Sequence, residues 1–289
     1  MARAAANVSR LQLAMRITNQ NLSRTEVLNV IDMCALSADE VLLACGVKGL
    51  RALSLHTAQL AAHESSVIQD IVLGVEFDAH TDTLLLLVWA PTGDYSQLVS
   101  MRRNASEWLE VQRLGTRIPL TSAYIFLLAV CDSRVLLGQE GENTLYVFDV
   151  SAESTLRDAG NVTLQSEIYG VACTRRDGVT LVAFSHNTSV SLLRLTSLPL
   201  RLVPLASVSL TEPTRLLFRE DLLLVTDWNR ANRTDAIVSF RVSGNVLSER
   251  RVLLDAQAGL DVNYGWDLAS DRLVLWDWNS NELRVYAFT

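Results

Sequence analysis

The sequence predicts an all-β fold: a single six-bladed β-propeller with four-stranded antiparallel blades, in which an N-terminal strand completes the last blade and closes the ring. Two observations predict the blades: a hydrophobic strand unit that recurs six times, and a near-constant step between units. The best-marked strands end at Leu55, Met101, Val150, Leu195, Val242 and Phe288. The steps of 46, 49, 45, 47 and 46 residues approach the roughly 40–45 residues that one four-stranded blade requires.

Each unit contains four strands, a to d, with strand a nearest the axis of the ring. The b strands are almost continuously apolar, which is typical of a strand covered on both faces by neighbouring blades. They are predicted at 41–45, 84–90, 135–139, 180–185, 222–227 and 273–277. The c strands are predicted at 50–55, 97–101, 144–150, 189–195, 236–242 and 282–288. Turn residues bound both sets of strands.

The chain ends with strand c of the sixth unit, so this unit lacks its outer strand. Residues 8–17 alternate polar and apolar side chains, as a half-exposed strand does. We therefore expect one domain, 1–289, with blades at about 27–66, 67–115, 123–165, 166–211, 213–256 and 262–289 plus 8–17. An alternative remains for the first 25 residues, whose four arginines and lack of acids resemble a mitochondrial presequence.

Two recurrences have a structural interpretation. Every turn between strands a and b carries an acid, and this regularity favours turn capping over a binding site. These acids are Asp39, Asp78 with Asp82, Asp132, Asp177, Asp221 and Asp271. A glycine recurs in strand a at Gly74, Gly170 and Gly265, which predicts close approach of backbones near the axis.

Composition excludes several classes of protein. Hydrophobic residues make up 49% of the chain and charged residues 20%, a balance that a disordered chain does not have. The net charge of −7 disfavours nucleic acid as a partner. No apolar run approaches the roughly 18 residues of a membrane helix. We expect a monomeric domain without a membrane span.

The cysteines and the compartment are interpreted together. Cys34, Cys131 and Cys173 occupy matching places in strand a, where small buried apolar residues fit. A disulfide between Cys34 and Cys45 is an alternative, and no spacing indicates a zinc site. The six Asn-X-Ser/Thr sequons begin at Asn7, Asn21, Asn104, Asn161, Asn187 and Asn232. We interpret them as turn composition and expect a cytoplasmic protein, with secretion and mitochondrial import as alternatives.

The b–c hairpins of the last two units resemble those of NHL repeats and the related YWTD-type propellers. They contain Asp227-Trp228-Asn229 and Asp277-Trp278-Asn279, each preceded and followed by apolar strand residues. In WD repeats the Trp-Asp pair ends strand c, whereas here the Asp-Trp pair ends strand b. The resemblance implies a recognition module that binds protein segments or RNA.

The loops b–c and d–a are longer and more varied than the other turns, and they share one face of the predicted ring. Aromatic residues and arginine are favoured at binding hot spots. The partner-binding candidates on this face are Tyr124, Trp228, Arg230, Tyr264 and Trp278. We therefore predict a non-catalytic scaffold without a cofactor that presents this face to a protein or peptide partner.

The alternative function is a metal-dependent hydrolase. The chain is similar in blade number to gluconolactonase-like lactonases, and that resemblance implies a divalent cation in the central channel. Hard oxygen ligands suit calcium. The candidate ligands near the starts of the inner strands are Asp32, Glu76 and Asp267.

Overall fold

The computed structural model describes residues 10–18, 30–57, 59–62, 70–89, 95–104, 107–119, 126–197, 199–229, 231, 233–255, 259–262 and 265–289. Within these ranges the strands form six four-stranded antiparallel sheets. Each sheet is one blade of a six-bladed β-propeller, as the sequence predicts. In the same ranges, no helix is long and apolar enough to cross a membrane.

The blades follow one another around the ring in chain order, and each has strands a to d. Blade 1 contains β2 (Asp32–Ala35), β3 (Glu40–Ala44), β4 (Leu50–Ser54) and β5 (Gln59–Ala62). Blade 2 contains β6 (Ile71–Asp78), β7 (Thr83–Trp89), β8 (Tyr95–Asn104) and β9 (Glu107–Pro119). Blade 3 contains β10 (Phe126–Cys131), β11 (Arg134–Gln139), β12 (Thr144–Val150) and β13 (Leu156–Thr163).

The second half of the ring follows the same plan. Blade 4 contains β14 (Gly170–Arg176), β15 (Val179–His186), β16 (Ser189–Ser197) and β17 (Leu200–Ser209). Blade 5 contains β18 (Pro213–Arg219), β19 (Leu222–Asn229), β20 (Thr234–Ser243) and β21 (Val246–Leu254). Blade 6 contains β22 (Trp266–Ala269), β23 (Arg272–Asp277), β24 (Glu282–Phe288) and, as its outer strand, β1 (Leu11–Thr18).

The N-terminal strand closes the ring. Strand β1 pairs antiparallel with β24, in a register that runs from Leu11 opposite Phe288 to Thr18 opposite Glu282. Ile17 of β1 is only 1% exposed and belongs to the core. The predicted closure is therefore confirmed from residue 11 onward, whereas residues 8 and 9 lie outside the described residues. This strand has a structural role that removal of a presequence would abolish.

The core is divided among the six junctions between blades. Alternate residues of each b strand point to opposite faces of the sheet. In β3, Val41 and Leu43 pack toward blade 6, whereas Leu42 and Ala44 pack toward blade 2. Both sets are fully buried, which explains why the b strands are almost continuously apolar.

The structure corrects the predictions for the cysteines. Cys34 and Cys45 are free and buried, and they lie in core clusters on opposite faces of blade 1, so the alternative pairing is wrong. Cys131 and Cys173 are joined by a disulfide with a Cα–Cα distance of 5.7 Å. The repeat predicts their matching positions, but two neighbouring inner strands converge there, so the two side chains meet instead of packing as separate apolar residues.

The turns between strands a and b confirm a role for their acids in turn structure. Asp82, Asp132 and Asp177 adopt positive φ angles of 52°, 51° and 49°, a conformation that Asp tolerates better than most residues. In the turns of blades 5 and 6 the positive φ is adopted by Glu220 and Ser270, the residues that precede the predicted acids Asp221 and Asp271.

Gly170 permits close approach of two inner strands, as its position in strand a predicts. A Cβ atom built on Gly170 would overlap the carbonyl oxygen of Thr214, in strand β18 of the next blade. Because that obstacle is backbone, it cannot move aside as a flexible side chain can. Blades 4 and 5 therefore require glycine at this position.

Candidate interaction face and central channel

The propeller presents two faces and a channel. One face carries the a–b and c–d turns. The other carries the b–c and d–a loops, and we call it the loop-rich face. The channel contains a cavity of about 600 Å³ lined by residues of all six inner strands. These three surfaces are where a ligand or partner can be bound.

The structure brings the three predicted metal ligands to the same cavity. Asp32, Glu76 and Asp267 line it from blades 1, 2 and 6. Asp32 Oδ2 accepts a hydrogen bond from the Val75 amide at 3.1 Å. Asp267 Oδ2 accepts one from the Ala35 amide at 2.6 Å. Two of the three carboxylates therefore connect the inner strands of neighbouring blades.

The environment of these carboxyl groups favours their protonated forms. Burial raises the pKa of Asp32 to about 7 and that of Asp267 to about 6. Burial also raises the pKa of Glu76 well above its ordinary value, and repulsion from Asp267 and Asp32 adds to this effect. Arg215, which also lines the cavity, partly offsets the effect on Asp32. Asp32 and Asp267 therefore take up a proton at a higher pH than exposed aspartates do.

The carboxylate oxygens of these residues are of the type that suits calcium. In the part of the chain that the structure describes, no group of three or more His, Cys, Asp or Glu side chains is placed to hold a metal ion. The backbone hydrogen bonds of Asp32 and Asp267 give these carboxylates a structural role instead. The channel can offer carboxyl groups and the Arg215 guanidinium to a polar ligand.

On the loop-rich face, Trp228 lies near the end of strand b of blade 5, next to the buried Asp227, and is half-buried. Asp227 Oδ1 accepts hydrogen bonds from the Thr211 amide at 3.0 Å and the Glu212 amide at 2.9 Å. The Trp228 amide in turn donates to the Glu212 carbonyl at 3.0 Å. Asp227 and Trp228 therefore hold in place the loop at residues 211–212, which leads into strand a of blade 5.

Blade 6 repeats this arrangement. Asp277 is fully buried, and its Oδ1 accepts a hydrogen bond from the Asp261 amide at 3.1 Å. The Trp278 amide donates to the Asp261 carbonyl at 2.9 Å. Trp278 is half-buried against the core between blades 6 and 1. The Asp-Trp motif that carries the resemblance to NHL repeats thus holds the loops that enter blades 5 and 6. Both tryptophans are only partly exposed.

The other three predicted partner-binding residues, Tyr124, Arg230 and Tyr264, lie outside the described residues. Trp228 and Trp278 occupy equivalent positions in adjacent blades on the loop-rich face, as predicted.

A cleft that the sequence does not predict opens on the loop-rich face between blades 3 and 4. It consists of two neighbouring cavities of about 580 and 540 Å³. Both are lined by Gln165, Ser166 and His186, so they adjoin one another. We call the two together the 3/4 cleft. Its outer part has an apolar floor formed by Leu164, Leu193 and Leu202.

The inner part of the 3/4 cleft is polar. The Tyr169 hydroxyl donates to Glu167 Oε2 at 3.0 Å. His186 Nδ1 lies 2.9 Å from the Glu167 carbonyl oxygen. Burial raises the pKa of Tyr169, and the carboxylates of Glu167, Glu140 and Glu212 raise it further. Among the described lining residues, the Glu167 carboxylate therefore brings negative charge to this end of the cleft.

The floor of the 3/4 cleft is contributed by Leu164, which follows strand d of blade 3, and by strands c and d of blade 4. Its residues are distant in sequence and have ordinary strand patterns. The signal that the sequence offers is Tyr169 at the predicted rim, and one aromatic residue does not define a cleft.

No protein-family model matches the chain, and no curated protein matches it. Solved structures match over almost its whole length. A chain in the mitotic checkpoint complex has a TM-score of 0.57 at 10% identity, covering 100% of this chain and 99% of that chain. Streptogramin B lyase has a TM-score of 0.54 at 9% identity, covering 97% and 98%.

The β-propeller domain of Cps50 (Swd1) from Myceliophteria thermophila has a TM-score of 0.52 at 12% identity, with 90% of this chain and 84% of that chain covered. At such identities the likeness shows the fold alone. The sheet topology defines the protein as a six-bladed β-propeller, and the match to the Cps50 domain agrees with a β-propeller fold. Such folds carry binding and catalysis alike, so the function of this protein depends on its own surfaces.

Proposed function

We propose that this propeller is a non-catalytic scaffold that binds a protein segment on its loop-rich face, and that it belongs with the NHL-like recognition propellers. The observation that carries the proposal is the 3/4 cleft, in which an apolar floor adjoins a polar end. Binding sites for extended segments combine apolar pockets with a few placed polar groups.

The fixed loops of this face support the proposal. Asp227 and Asp277 each hold the loop that enters their blade through hydrogen bonds to backbone amides. A surface that is ordered before binding loses less conformational entropy when the partner arrives. The described parts of the loops that enter blades 5 and 6 are in this sense ordered before binding, and the two tryptophans lie beside them.

Photo-crosslinking tests the choice of face. A benzophenone amino acid is placed at Gln165 in the 3/4 cleft or at Trp228 on the same face, and at Asp177 on the opposite face as the control. We expect one defined crosslinked protein from the first two positions and none from Asp177. Crosslinks to that protein only from Asp177 would overturn the proposal, as would a complete absence of crosslinks.

The hydrolase alternative is favoured by one observation, the convergence of Asp32, Glu76 and Asp267 on the channel. Calorimetric titration with calcium tests it. The alternative requires tight binding that is lost in the Glu76→Ala variant. A flat titration, together with no turnover of lactones, would remove it and leave the scaffold.

A further inference from the structure

We infer that the 3/4 cleft binds an extended, basic segment of a partner protein, with an apolar side chain on the floor and an arginine or lysine at the polar end. This inference rests on the proposed function and names the chemistry of the partner. It follows from the shape of the cleft and from its charge, which are independent properties.

The shape favours an extended chain. The apolar floor and the polar end adjoin through Gln165, Ser166 and His186, so one segment can occupy both. In an extended strand, side chains two positions apart point the same way and lie about 7 Å apart. An apolar residue and a charged residue with this spacing can therefore enter the two parts of the cleft together.

The charge favours a basic residue. No lysine or arginine is among the described residues that line the two cavities. Glu167 is exposed at the polar end, where it accepts the Tyr169 hydroxyl. Glu140 and Glu212 lie near enough to act on the same tyrosine. Arg215, which lines the channel, acts on Glu140.

The side chains at the polar end can hold a cation in two ways. The Glu167 carboxylate can form a charge-assisted, bidentate pair with a guanidinium group. The ring of Tyr169 can accept a cation over its face. Both interactions are stronger for arginine than for a neutral side chain of the same shape, and glutamate would be repelled.

The probes are three pools of fluorescein-labelled heptapeptides. Each pool holds a leucine two positions from a variable residue, which is arginine, citrulline or glutamate, with the other positions mixed from alanine and serine. Fluorescence anisotropy measures their binding to the whole chain. We expect the arginine pool to bind at least about tenfold more tightly than the citrulline pool, because hydrogen bonds between charged partners are the stronger class.

The matched variants are Glu167→Gln in the cleft and Asp177→Asn on the opposite face. Glu167→Gln keeps the size of the side chain and lies on the surface, so we expect the fold to persist. It should abolish the preference for arginine, whereas Asp177→Asn should not alter it. Equal binding of the arginine and citrulline pools, or an unchanged preference in Glu167→Gln, would overturn the inference.

The same experiments separate the inference from the proposed function. If Gln165 crosslinks a partner but no pool binds, or the glutamate pool binds best, the basic specificity is wrong and the scaffold stands. If the crosslinks arise from Asp177 alone, both are wrong. If the arginine pool binds and Glu167→Gln removes its advantage, both are supported.

Discussion

At the scale of single residues, Asp277 shows how a buried charge is compensated. It is fully buried and accepts hydrogen bonds from the Asp261 amide at 3.1 Å, the Asn279 amide at 3.2 Å and the Ser280 hydroxyl at 2.6 Å. It also forms an ion pair with Arg284, which is only 8% exposed. The carboxylate thus connects the end of β23 to the incoming loop and to β24.

Replacing Asp277 should be costly because its partner would stay buried. We expect Asp277→Ala to lower the free energy of unfolding by about 3–5 kcal/mol, the range for removing one partner of a buried pair. Urea denaturation with a constant m-value measures this change. The control, Asp271→Ala, alters an exposed turn residue and should change the free energy little. Equal effects of the two variants would contradict this account of Asp277.

Gly170 provides a second test at this scale. We expect Gly170→Ala to destabilise the protein by about 1–3 kcal/mol, because the added methyl group would meet the Thr214 carbonyl oxygen. Gly115→Ala is the matched control, since no atom lies within 4 Å of a Cβ built there. Thermal unfolding followed by circular dichroism gives the comparison. A lower melting temperature for the Gly115 variant than for the Gly170 variant would refute the close approach.

At the scale of elements, the junctions between blades are fastened by different chemistry, although the blades share one topology. Each junction adds a specific connection to its apolar core. Backbone hydrogen bonds between Gly46 and Val72 connect blades 1 and 2, the Gln112 amide group bonds to the Leu156 backbone between blades 2 and 3, and the Cys131–Cys173 disulfide connects blades 3 and 4. The Ser185 hydroxyl donates to the Thr214 carbonyl between blades 4 and 5. The Asp235 carboxylate accepts from the Val262 amide between blades 5 and 6, and the Asp267 carboxylate accepts from the Ala35 amide between blades 6 and 1.

The disulfide should stabilise the junction of blades 3 and 4. It closes a loop of 42 residues, which corresponds to about 4 kcal/mol in the chain-entropy description. We therefore expect dithiothreitol to lower the melting temperature of the native protein. The double variant Cys131→Ser/Cys173→Ser should melt at the temperature of the reduced native protein, both with and without dithiothreitol. If reductant shifts the double variant as far as the native protein, the effect has another source.

Because disulfides persist in oxidising compartments, a measured bridge in the native protein would favour the secreted alternative.

The elements also show what the sequence can predict. The b and c strands and the closing strand follow from apolar periodicity, since burial on both faces leaves a direct pattern. The convergence of Glu76 and Asp267 follows from their equivalent places in strand a. Asp32 joins them from the start of strand a in blade 1. Neither the disulfide nor the 3/4 cleft can be predicted, because both depend on the distance between elements of adjacent blades. Periodicity within a blade contains no information about that distance.

At the scale of the whole molecule, the ring encloses carboxyl groups whose protons couple its stability to pH. Burial raises the pKa of Asp235 to about 7 from its ordinary value of 3.8. Between these two values the folded chain keeps a proton that the unfolded chain loses. The free energy of unfolding should therefore fall as the pH rises through this window, by at most about 1.4 kcal/mol per pH unit for each such group.

Asp235→Asn isolates this contribution, since asparagine can still accept the Val262 amide and does not titrate. We expect its free energy of unfolding to fall less steeply than that of the native protein between pH 5 and pH 8, as measured by urea denaturation at each pH. Asp271→Asn, at an exposed turn, should follow the native curve. Parallel curves for native protein and Asp235→Asn would show that Asp235 does not hold its proton in the folded state.

The most direct test of the account is a hydrogen–deuterium exchange footprint of the protein with its crosslinked partner, or with the arginine peptide pool. The account predicts slower exchange at 164–169 and 186–189, the two segments that border the 3/4 cleft. It predicts unchanged exchange in the a–b turns at 132–133 and 177–178. Protection of those turns with no change around the cleft would contradict the claim that the loop-rich face is where this propeller binds.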